Sequence, residues 1–270
     1  ICQKLYEKGL ITYMRTDSTI YSPEFIETAK KYINSQWSTE YIHPHIENLS
    51  KRDDTKKAKK TKKKADKNEN MAQEAHEAIR PTDIKRKDPN GKNDLTNKEL
   101  RMYKMIWCNT VESCMAAATG TGITATVSAP ENHVYKYSTE LIVFMGWKIV
   151  RGCEADKFYS YLTSLVSKVI PYKKIVAKVS LKDLKSHYTE AKLVQLLEQK
   201  GIGRPSTFSS LVDKIQERGY VKKDNIKGKT IKCIDYELEN NELEEIETER
   251  EFGNEKNKLV IQPLGIMVLE

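Results

Sequence analysis

The segment that decides the organisation of this chain reads GLITYMRTDS and covers residues 9–18. Residues 10–14 have the apolar, β-branched and aromatic composition of a strand. Gly9, directly before them, is expected to end a short helix over residues 1–8. The Ser-Pro-Glu sequence around Pro23 is typical of a helix start. The first 34 residues are therefore predicted to form a helix, a strand and a second helix.

Periodicity predicts the elements that follow. Apolar residues recur at helical spacing over about 97–117, which indicates a longer helix. From residue 119 to about 180, alternating β-branched and small residues predict a β-rich module. Its expected strands lie at about 121–128, 135–144, 147–150 and 175–181.

The C-terminal part combines two helices with a glycine-containing turn. Amphipathic patterns predict helices over about 189–199 and 206–218, and a strand is expected at 229–234. Helix, turn, helix and strand in this order resemble a winged helix-turn-helix. The bare pattern is not specific, because many helical hairpins bind no nucleic acid.

The positive charge of the chain is concentrated in one run. The chain has 46 Lys and Arg against 38 Asp and Glu, a net charge of +8. Residues 51–70 hold ten Lys or Arg and four Asp or Glu, and so account for +6 of that charge. Such a run is expected to be an insertion without a packed core. It is either a solvated loop or a basic arm that adds affinity for phosphates.

Cysteine usage and hydropathy exclude several classes of protein. The five cysteines contain no Cys-x-x-Cys pair, so a zinc ribbon is not indicated. An odd, scattered set fits reduced thiols in an intracellular protein. His43 and His45 have no cysteine or carboxylate cluster beside them, so no metal site is predicted. No apolar run approaches ~18 residues, and no membrane span is expected.

The two ends of the chain indicate a piece of a longer protein. The chain starts at Ile1 without an initiator Met, and it stops at Glu270 within an apolar segment. We therefore expect further domains outside it.

Four segments in order carry a resemblance to a known family. They are GLITYMRTDS (9–18), AQEAHEAIRPT (72–82), SHYTEAKLV (186–194) and GIGRPST (201–207), the last followed by IQERGYV (215–221). Together they resemble type IA DNA topoisomerases, and YMRTDS, HEAIRP and GIGRPST resemble the bacterial topoisomerase I branch. A topoisomerase III or reverse gyrase core is the alternative within the same chemistry.

The resemblance implies an α+β multidomain core. Residues 1–115 would form a helical nucleophile domain with a disordered basic insertion at about 48–70. Residues 116–186 would form a β-rich arch or hinge segment. Residues 187–235 would be a winged-helix-like DNA-binding segment, and residues 236–270 the start of a continuing core.

The resemblance also implies a nucleophile. In the family the tyrosine of YMRTDS, here Tyr13, attacks a single-strand phosphodiester and forms a 5′-phosphotyrosine. A free tyrosine has a pKa of about 10, so the site must favour the phenolate. Arg15, two residues on, would share a strand face with Tyr13 and could hold the scissile phosphate. No G-x-x-x-x-G-K-[ST] phosphate loop is present, which agrees with rejoining without ATP.

Three further residues near this centre are candidates. His76 matches the histidine of HEAIRP, and the resemblance implies a hydrogen bond near Tyr13 and the DNA phosphate. Arg80 either contacts a backbone phosphate or pairs with Glu77 in its own segment. Asp17 is a candidate DNA-binding residue that either orients Arg15 or caps the following turn, and the sequence leaves both open.

The GRPST turn supplies the other predicted DNA-binding residues. Arg204 can neutralise a phosphate. Ser206 or Thr207 lies at a predicted helix N-terminus, where hydroxyls and backbone N–H groups bind phosphate. The alternative is that one of them only caps its helix.

The resemblance finally implies a DNA-relaxing activity that this chain would need a further domain to perform. The expected function is relaxation of negatively supercoiled DNA by an intracellular, DNA-associated monomer. Mg²⁺ would be bound by an N-terminal toprim domain, which the segment before Tyr13 does not contain. The rivals are a non-catalytic single-stranded DNA-binding module and a truncated, inactive product.

Overall fold

The computed structural model describes residues 1–51, 77–89, 95–128, 132, 134–154 and 157–270. These residues divide into two compact units, 1–168 and 169–270. Helices and antiparallel strands occur together, in agreement with the predicted α+β class. Within the described ranges, no helix is long and apolar enough to cross a membrane. The predicted basic insertion lies outside them, except for residues 48–51.

Three helices form the frame of unit 1–168. They are α1 (Cys2–Glu7), α2 (Pro23–Gln36) and α3 (Asn97–Ser113). The Ser22 hydroxyl accepts a hydrogen bond from the Phe25 N–H, and Pro23 occupies the first helical position. At the start of α3, Thr96 and Glu99 form a capping box. Local signals of this kind explain why these helices could be predicted.

The core of this unit is aromatic and aliphatic. Trp107 and Tyr103 on α3 are each 1% exposed. The Trp107 Nε1 donates to the Ile84 carbonyl at 2.7 Å, and the Tyr103 hydroxyl donates to the Arg86 carbonyl at 2.5 Å. The segment 77–89 is therefore attached to α3 by buried polar contacts as well as by packing. The other fully buried large side chains include Leu5, Leu10, Ile11, Ile33, Ile46 and Val111.

A long antiparallel hairpin completes unit 1–168. β1 (Thr119–Ser128) pairs with β2 (Val134–Phe144), and helix α4 (Phe158–Ser164) follows. The predicted strand at 147–150 is wrong, because Gly146–Val150 is a 3₁₀ helix. Gly146 has φ +48°, and a Cβ there would lie 2.5 Å from the Ala117 backbone. Only glycine permits this close turn, which diverts the chain from a strand.

Unit 169–270 contains two small sheets and three helices. β3 (Lys174–Ala177), β5 (Lys229–Glu239) and β6 (Glu242–Phe252) form a sheet in the order β3-β5-β6. β4 (Val221–Ile226) pairs with β7 (Glu255–Ile261) in the second sheet. The helices are α5 (Glu190–Lys200), α6 (Phe208–Glu217) and α7 (Pro263–Leu269).

Helices α5 and α6 lie close to the predicted ranges 189–199 and 206–218, and the strands that follow them pair in two different sheets. Here Val221 pairs with Ile261, and β5 pairs with β3 and β6. The winged-helix interpretation of residues 187–235 therefore stays a prediction, as do the other predicted domain boundaries. The proposed 116–186 segment includes the division between the two compact units at residue 168.

The cysteines are expected to differ sharply in reactivity towards iodoacetamide. Cys114 is fully buried, and desolvation raises the pKa of its thiol to about 11. Cys153 is exposed. We expect alkylation of the native chain to modify Cys153 and spare Cys114, with Cys114 reacting only after unfolding. Peptide mass spectrometry measures both sites, and rapid native modification of Cys114 would contradict this packing.

Candidate active site

The segment that contains Tyr13 is not a strand, so the prediction for residues 10–14 is wrong. Ile11 forms only an isolated antiparallel bridge with Pro81. Two backbone hydrogen bonds flank it, from the Thr12 N–H to the Arg80 carbonyl and from the Thr82 N–H to the Leu10 carbonyl. Leu10 and Ile11 are apolar because they enter the core, not because they belong to a sheet. Strand alternation therefore cannot align Arg15 with Tyr13.

Segment 77–82 is hydrogen-bonded to the residues directly before Tyr13. The Thr12 hydroxyl donates to the Ala78 carbonyl at 2.8 Å and accepts from the Arg80 N–H at 3.0 Å. The Thr82 hydroxyl donates to the Gly9 carbonyl at 2.6 Å. The structure thus brings together two of the segments that carry the resemblance. His76 itself lies outside the described residues.

Arg80 is held by contacts within unit 1–168. Its Nε and Nη2 donate to the Glu77 carboxylate at 3.0 and 2.7 Å, and its Nη1 donates to the Pro81 carbonyl at 3.0 Å. The guanidinium carbon lies 4.3 Å from the Phe25 ring centroid. The Arg80 side chain is only 13% exposed. The structure contains the pair with Glu77, and a phosphate contact of Arg80 stays a prediction.

The same carboxylate connects the motif to α2. Glu77 also accepts a hydrogen bond from the Ser22 N–H at 3.3 Å. The Ala78 N–H donates to the Ile20 carbonyl at 2.8 Å. Residues 77–80 are therefore fixed to the residues that precede α2.

Helix α1 supplies neighbours of Tyr13 and Arg15 that the sequence analysis missed. The Tyr6 and Tyr13 ring centroids are 5.3 Å apart, with an interplanar angle of 72°. The Arg15 Nη2 donates to the Gln3 Oε1 at 3.3 Å. A signal existed, because positions 3 and 6 share one helix face. The apolar pattern of the helix does not reveal these polar and aromatic contacts.

Asp17 makes neither of the contacts expected for it within the described part of the chain. It is exposed, and the turn is stabilised instead by the hydroxyls of its neighbours. The Ser18 N–H donates to the Thr16 hydroxyl at 3.0 Å, and the Ile20 N–H donates to the Ser18 hydroxyl at 3.3 Å. A DNA contact of Asp17 stays a prediction.

The described donor set does not fit a Mg²⁺ site. No group of three or more His, Cys, Asp or Glu side chains suited to a metal ion occurs among the residues that the structure describes. Near Tyr13, Glu7 accepts from Gln3 and Glu77 is paired with Arg80. No step in the chemistry below is assigned to a metal held by these residues.

The GRPST turn lies in unit 169–270. Gly201 ends α5 in the left-handed conformation. Gly203 has φ +84°, and a Cβ there would lie 2.9 Å from Leu211. The Thr207 hydroxyl accepts from the Arg204 N–H at 2.8 Å and donates to the Arg204 carbonyl at 3.1 Å.

Thr207 therefore does not cap α6 with its side chain, although it occupies the N-cap position. Its hydroxyl stabilises the turn instead. The Arg204 and Ser206 side chains are exposed at the start of this helix. The capping alternative for Thr207 is not what the structure contains, while phosphate binding by these residues stays a prediction.

A second cluster that the sequence analysis missed fixes the start of the SHYTEA segment. The Glu255 carboxylate accepts from the His187 backbone N–H at 3.0 Å and lies 2.8 Å from the His187 Nδ1. The His187 contact lowers the pKa of Glu255. Tyr188 bridges to Leu259. No local pattern indicated these contacts, because they join residues about seventy positions apart.

Comparison with known proteins identifies the family of this chain. The profile of a family described as DNA topoisomerase matches residues 1–235. The chain belongs to this family. Within it, the similar curated relatives are bacterial proteins named DNA topoisomerase 1, so the predicted resemblance to the bacterial type IA branch is confirmed.

Two of these relatives illustrate the extent of the match. DNA topoisomerase 1 of Buchnera aphidicola is 36% identical over 222 residues, which cover 82% of this chain and 24% of that protein. DNA topoisomerase 1 of Mycolicibacterium smegmatis is 38% identical over 237 residues, covering 83% of this chain and 24% of that protein. The matched region is thus about a quarter of these curated relatives.

A solved structure shares the fold. Full-length topoisomerase I from Thermotoga maritima aligns with a TM-score of 0.52 and 24% identity. The alignment covers 79% of this chain and 31% of that chain. This likeness supports the mixed α and β architecture at a coarse level.

Proposed function

We propose that this chain carries the nucleophile and part of the DNA-binding surface of a type IA DNA topoisomerase. The observation that carries the proposal is the hydrogen bonding of segment 77–82 to Gly9 and Thr12, directly before Tyr13, in a chain of this family. Two motifs far apart in sequence meet at one tyrosine that is only partly buried. Such a tyrosine can reach a DNA strand.

The proposed chemistry is a reversible transesterification. The Tyr13 phenolate oxygen attacks the phosphorus of one strand, the bond from phosphorus to the 3′-oxygen breaks, and a 5′-phosphotyrosine forms. The phenol loses its proton, and the departing 3′-oxygen gains one to become a hydroxyl. Rejoining reverses these steps. One phosphodiester replaces another, so no ATP is consumed.

Each neighbouring residue has a proposed role in this step. Arg15 is exposed, and its guanidinium would hold the scissile phosphate with two parallel hydrogen bonds. His76 would donate a hydrogen bond to the same phosphate. Arg80, enclosed by Glu77 and Phe25, would hold residues 77–80 in place beside the Tyr13 segment.

The remaining assignments concern the whole protein. Residues 116–186 are proposed as an arch segment that lets the nucleophile domain move, and residues 187–235 as a DNA-binding segment. Movement of that domain would open a gap through which a second DNA strand passes, and this passage would relax negative supercoils. The whole protein is proposed to be a monomer that associates with DNA inside the cell. A toprim domain with Mg²⁺ would be supplied from outside this chain.

Covalent trapping tests the proposed function. The chain is mixed with a labelled single-stranded oligonucleotide and Mg²⁺, with and without a separately expressed toprim domain from a related enzyme, and then denatured. We expect a protein–DNA adduct when the toprim domain is present. DNA binding without any adduct would favour the non-catalytic binding module instead.

The role of the GRPST turn is tested by replacing Arg204 with Gln. If Arg204 neutralises one phosphate, the slope of log affinity against log salt for single-stranded DNA should become shallower by about 0.7. Affinity should fall several-fold at low salt. Fluorescence anisotropy across a salt series measures both.

A matched control removes one positive charge elsewhere in the same unit. Lys174 is paired with Glu237 on the β3–β5 sheet, so Lys174→Gln should leave the salt slope nearly unchanged. Equal effects of the two substitutions would show that only net charge matters, and would argue against a specific phosphate contact at Arg204.

A further inference from the structure

Helix α1 presents one ring to the surface beside the proposed nucleophile. Leu5 is fully buried in the core, whereas the next residue, Tyr6, is 43% exposed. The Tyr6 ring meets the Tyr13 ring in a T-shaped arrangement, with centroids 5.3 Å apart and planes at 72°. Because Leu5 is buried in the core, it fixes the position of α1, and the Tyr6 backbone is therefore held beside Tyr13.

The same helix also contacts the proposed phosphate ligand. The Gln3 Oε1 accepts from the Arg15 Nη2 at 3.3 Å, and the Gln3 Nε2 donates to the Glu7 Oε1 at 2.9 Å. Residues 3, 6 and 7 lie on one face of α1, at helical spacings of three and four. One helix face thus contacts both Tyr13 and Arg15.

The Tyr6 contact acts on the Tyr13 side chain, whereas the hydrogen bonds described above act on the backbone before it. Residues 12–15 belong to no helix or strand. The hydrogen bonds to segment 77–82 are made by Leu10 and Thr12, which precede Tyr13. A ring contact can set the plane of the Tyr13 ring where the backbone pattern does not, because edge-to-face pairs have a preferred geometry.

We infer that Tyr6 is a positioning residue for the nucleophile: its ring holds the plane of the Tyr13 ring and so directs the phenolic oxygen. The inference rests on the proposed function of Tyr13. Tyr6 itself forms no bond to DNA and exchanges no proton. The ring, not the Tyr6 hydroxyl, is the required part, since the observed contact joins two ring systems.

Two substitutions of Tyr6 distinguish the effect of its ring from the effect of its hydroxyl. Tyr6→Leu removes the ring and should lower the rate of covalent adduct formation roughly 3- to 10-fold, with DNA affinity unchanged. Tyr6→Phe keeps the ring and should retain the normal rate. Tyr161→Leu, at an exposed tyrosine on α4 in the same unit, is the matched control and should also react normally.

NMR spectroscopy detects the contact between the Tyr6 and Tyr13 rings independently of any DNA cleavage. The full 270-residue chain is labelled with ¹³C in its tyrosine rings, and the Tyr13 signal is identified by its loss in Tyr13→Phe. Removing the neighbouring ring in Tyr6→Leu should shift the Tyr13 ring protons, and Tyr6→Phe should restore their positions. Circular dichroism confirms that each variant is folded.

The outcomes separate this inference from the proposed function. An unchanged Tyr13 signal in Tyr6→Leu, or a rate loss in Tyr6→Phe equal to that in Tyr6→Leu, would overturn the positioning role. If the unaltered chain forms no adduct with the added toprim domain, the proposed function fails. In that case the Tyr13 signal still decides whether Tyr6 holds its ring.

Discussion

Replacing Tyr13 with Phe should abolish the covalent protein–DNA adduct, with a loss of more than about 10³-fold in the rate of its formation. Phenylalanine keeps the ring that packs against Tyr6 but has no oxygen to attack phosphorus. Binding of single-stranded DNA should be nearly unchanged, because the ring is retained. A gel assay of denatured, labelled complexes measures the adduct, and anisotropy measures binding.

The control for this substitution is another tyrosine of the same unit. Tyr161 is 57% exposed on α4, and Tyr161→Phe removes a hydroxyl of the same kind. It should form the adduct at the normal rate. An adduct that persists in Tyr13→Phe would require a different nucleophile and would contradict the assignment.

Replacing Trp107 with Ala should destabilise unit 1–168 by about 4 kcal/mol. The side chain is 1% exposed, so its removal leaves a large cavity. It also leaves the Ile84 carbonyl without the 2.7 Å hydrogen bond from the indole. Since domains are typically stable by only about 5–15 kcal/mol, this loss brings the unit close to unfolding.

Hydrogen exchange of α3 amides measures this loss apart from unit 169–270. Trp107→Phe is the matched control: it keeps an aromatic ring and loses the N–H donor, so we expect a smaller cost of about 1–2 kcal/mol. Exchange rates in Trp107→Ala equal to those of the unaltered chain would contradict the packing described for this core.

The sequence predicted helices better than strands, and the physical reason is locality. Ser22 and the Thr96–Glu99 capping box mark helix starts within four residues of chain. Strands depend on distant partners. β4 pairs with β7, whose residues lie beyond the predicted 187–235 segment, so no local pattern indicated this pairing.

The two incorrect strand predictions, for residues 10–14 and 147–150, have the same physical cause. Residues 10–14 have strand composition, yet Leu10 and Ile11 are apolar because they pack in the helical core. Residues 147–150 also look like a strand, yet Gly146 turns the chain against Ala117. In both cases tertiary packing, rather than propensity, decided the local structure.

The candidate site also contains one feature that the sequence predicted and others that it did not. The resemblance indicated that the Tyr13 and 77–82 segments belong to one site, and the structure brings them together. The supporting contacts of Gln3 and Tyr6 were missed although both residues lie on one face of α1, because a polar and an aromatic surface residue leave no apolar periodicity. The pair of His187 and Glu255 was missed because it spans about seventy residues.

The central claim is that Tyr13 becomes covalently linked to the 5′ side of a broken DNA strand. The most direct test uses two oligonucleotides of one sequence, labelled at either the 3′ or the 5′ end, with the toprim domain added. After denaturation and proteolysis, mass spectrometry identifies the peptide that carries DNA. The account predicts that the 3′ label stays with the peptide containing Tyr13 and that the 5′ label is released. Retention of the 5′ label, or linkage at any other residue, would contradict it.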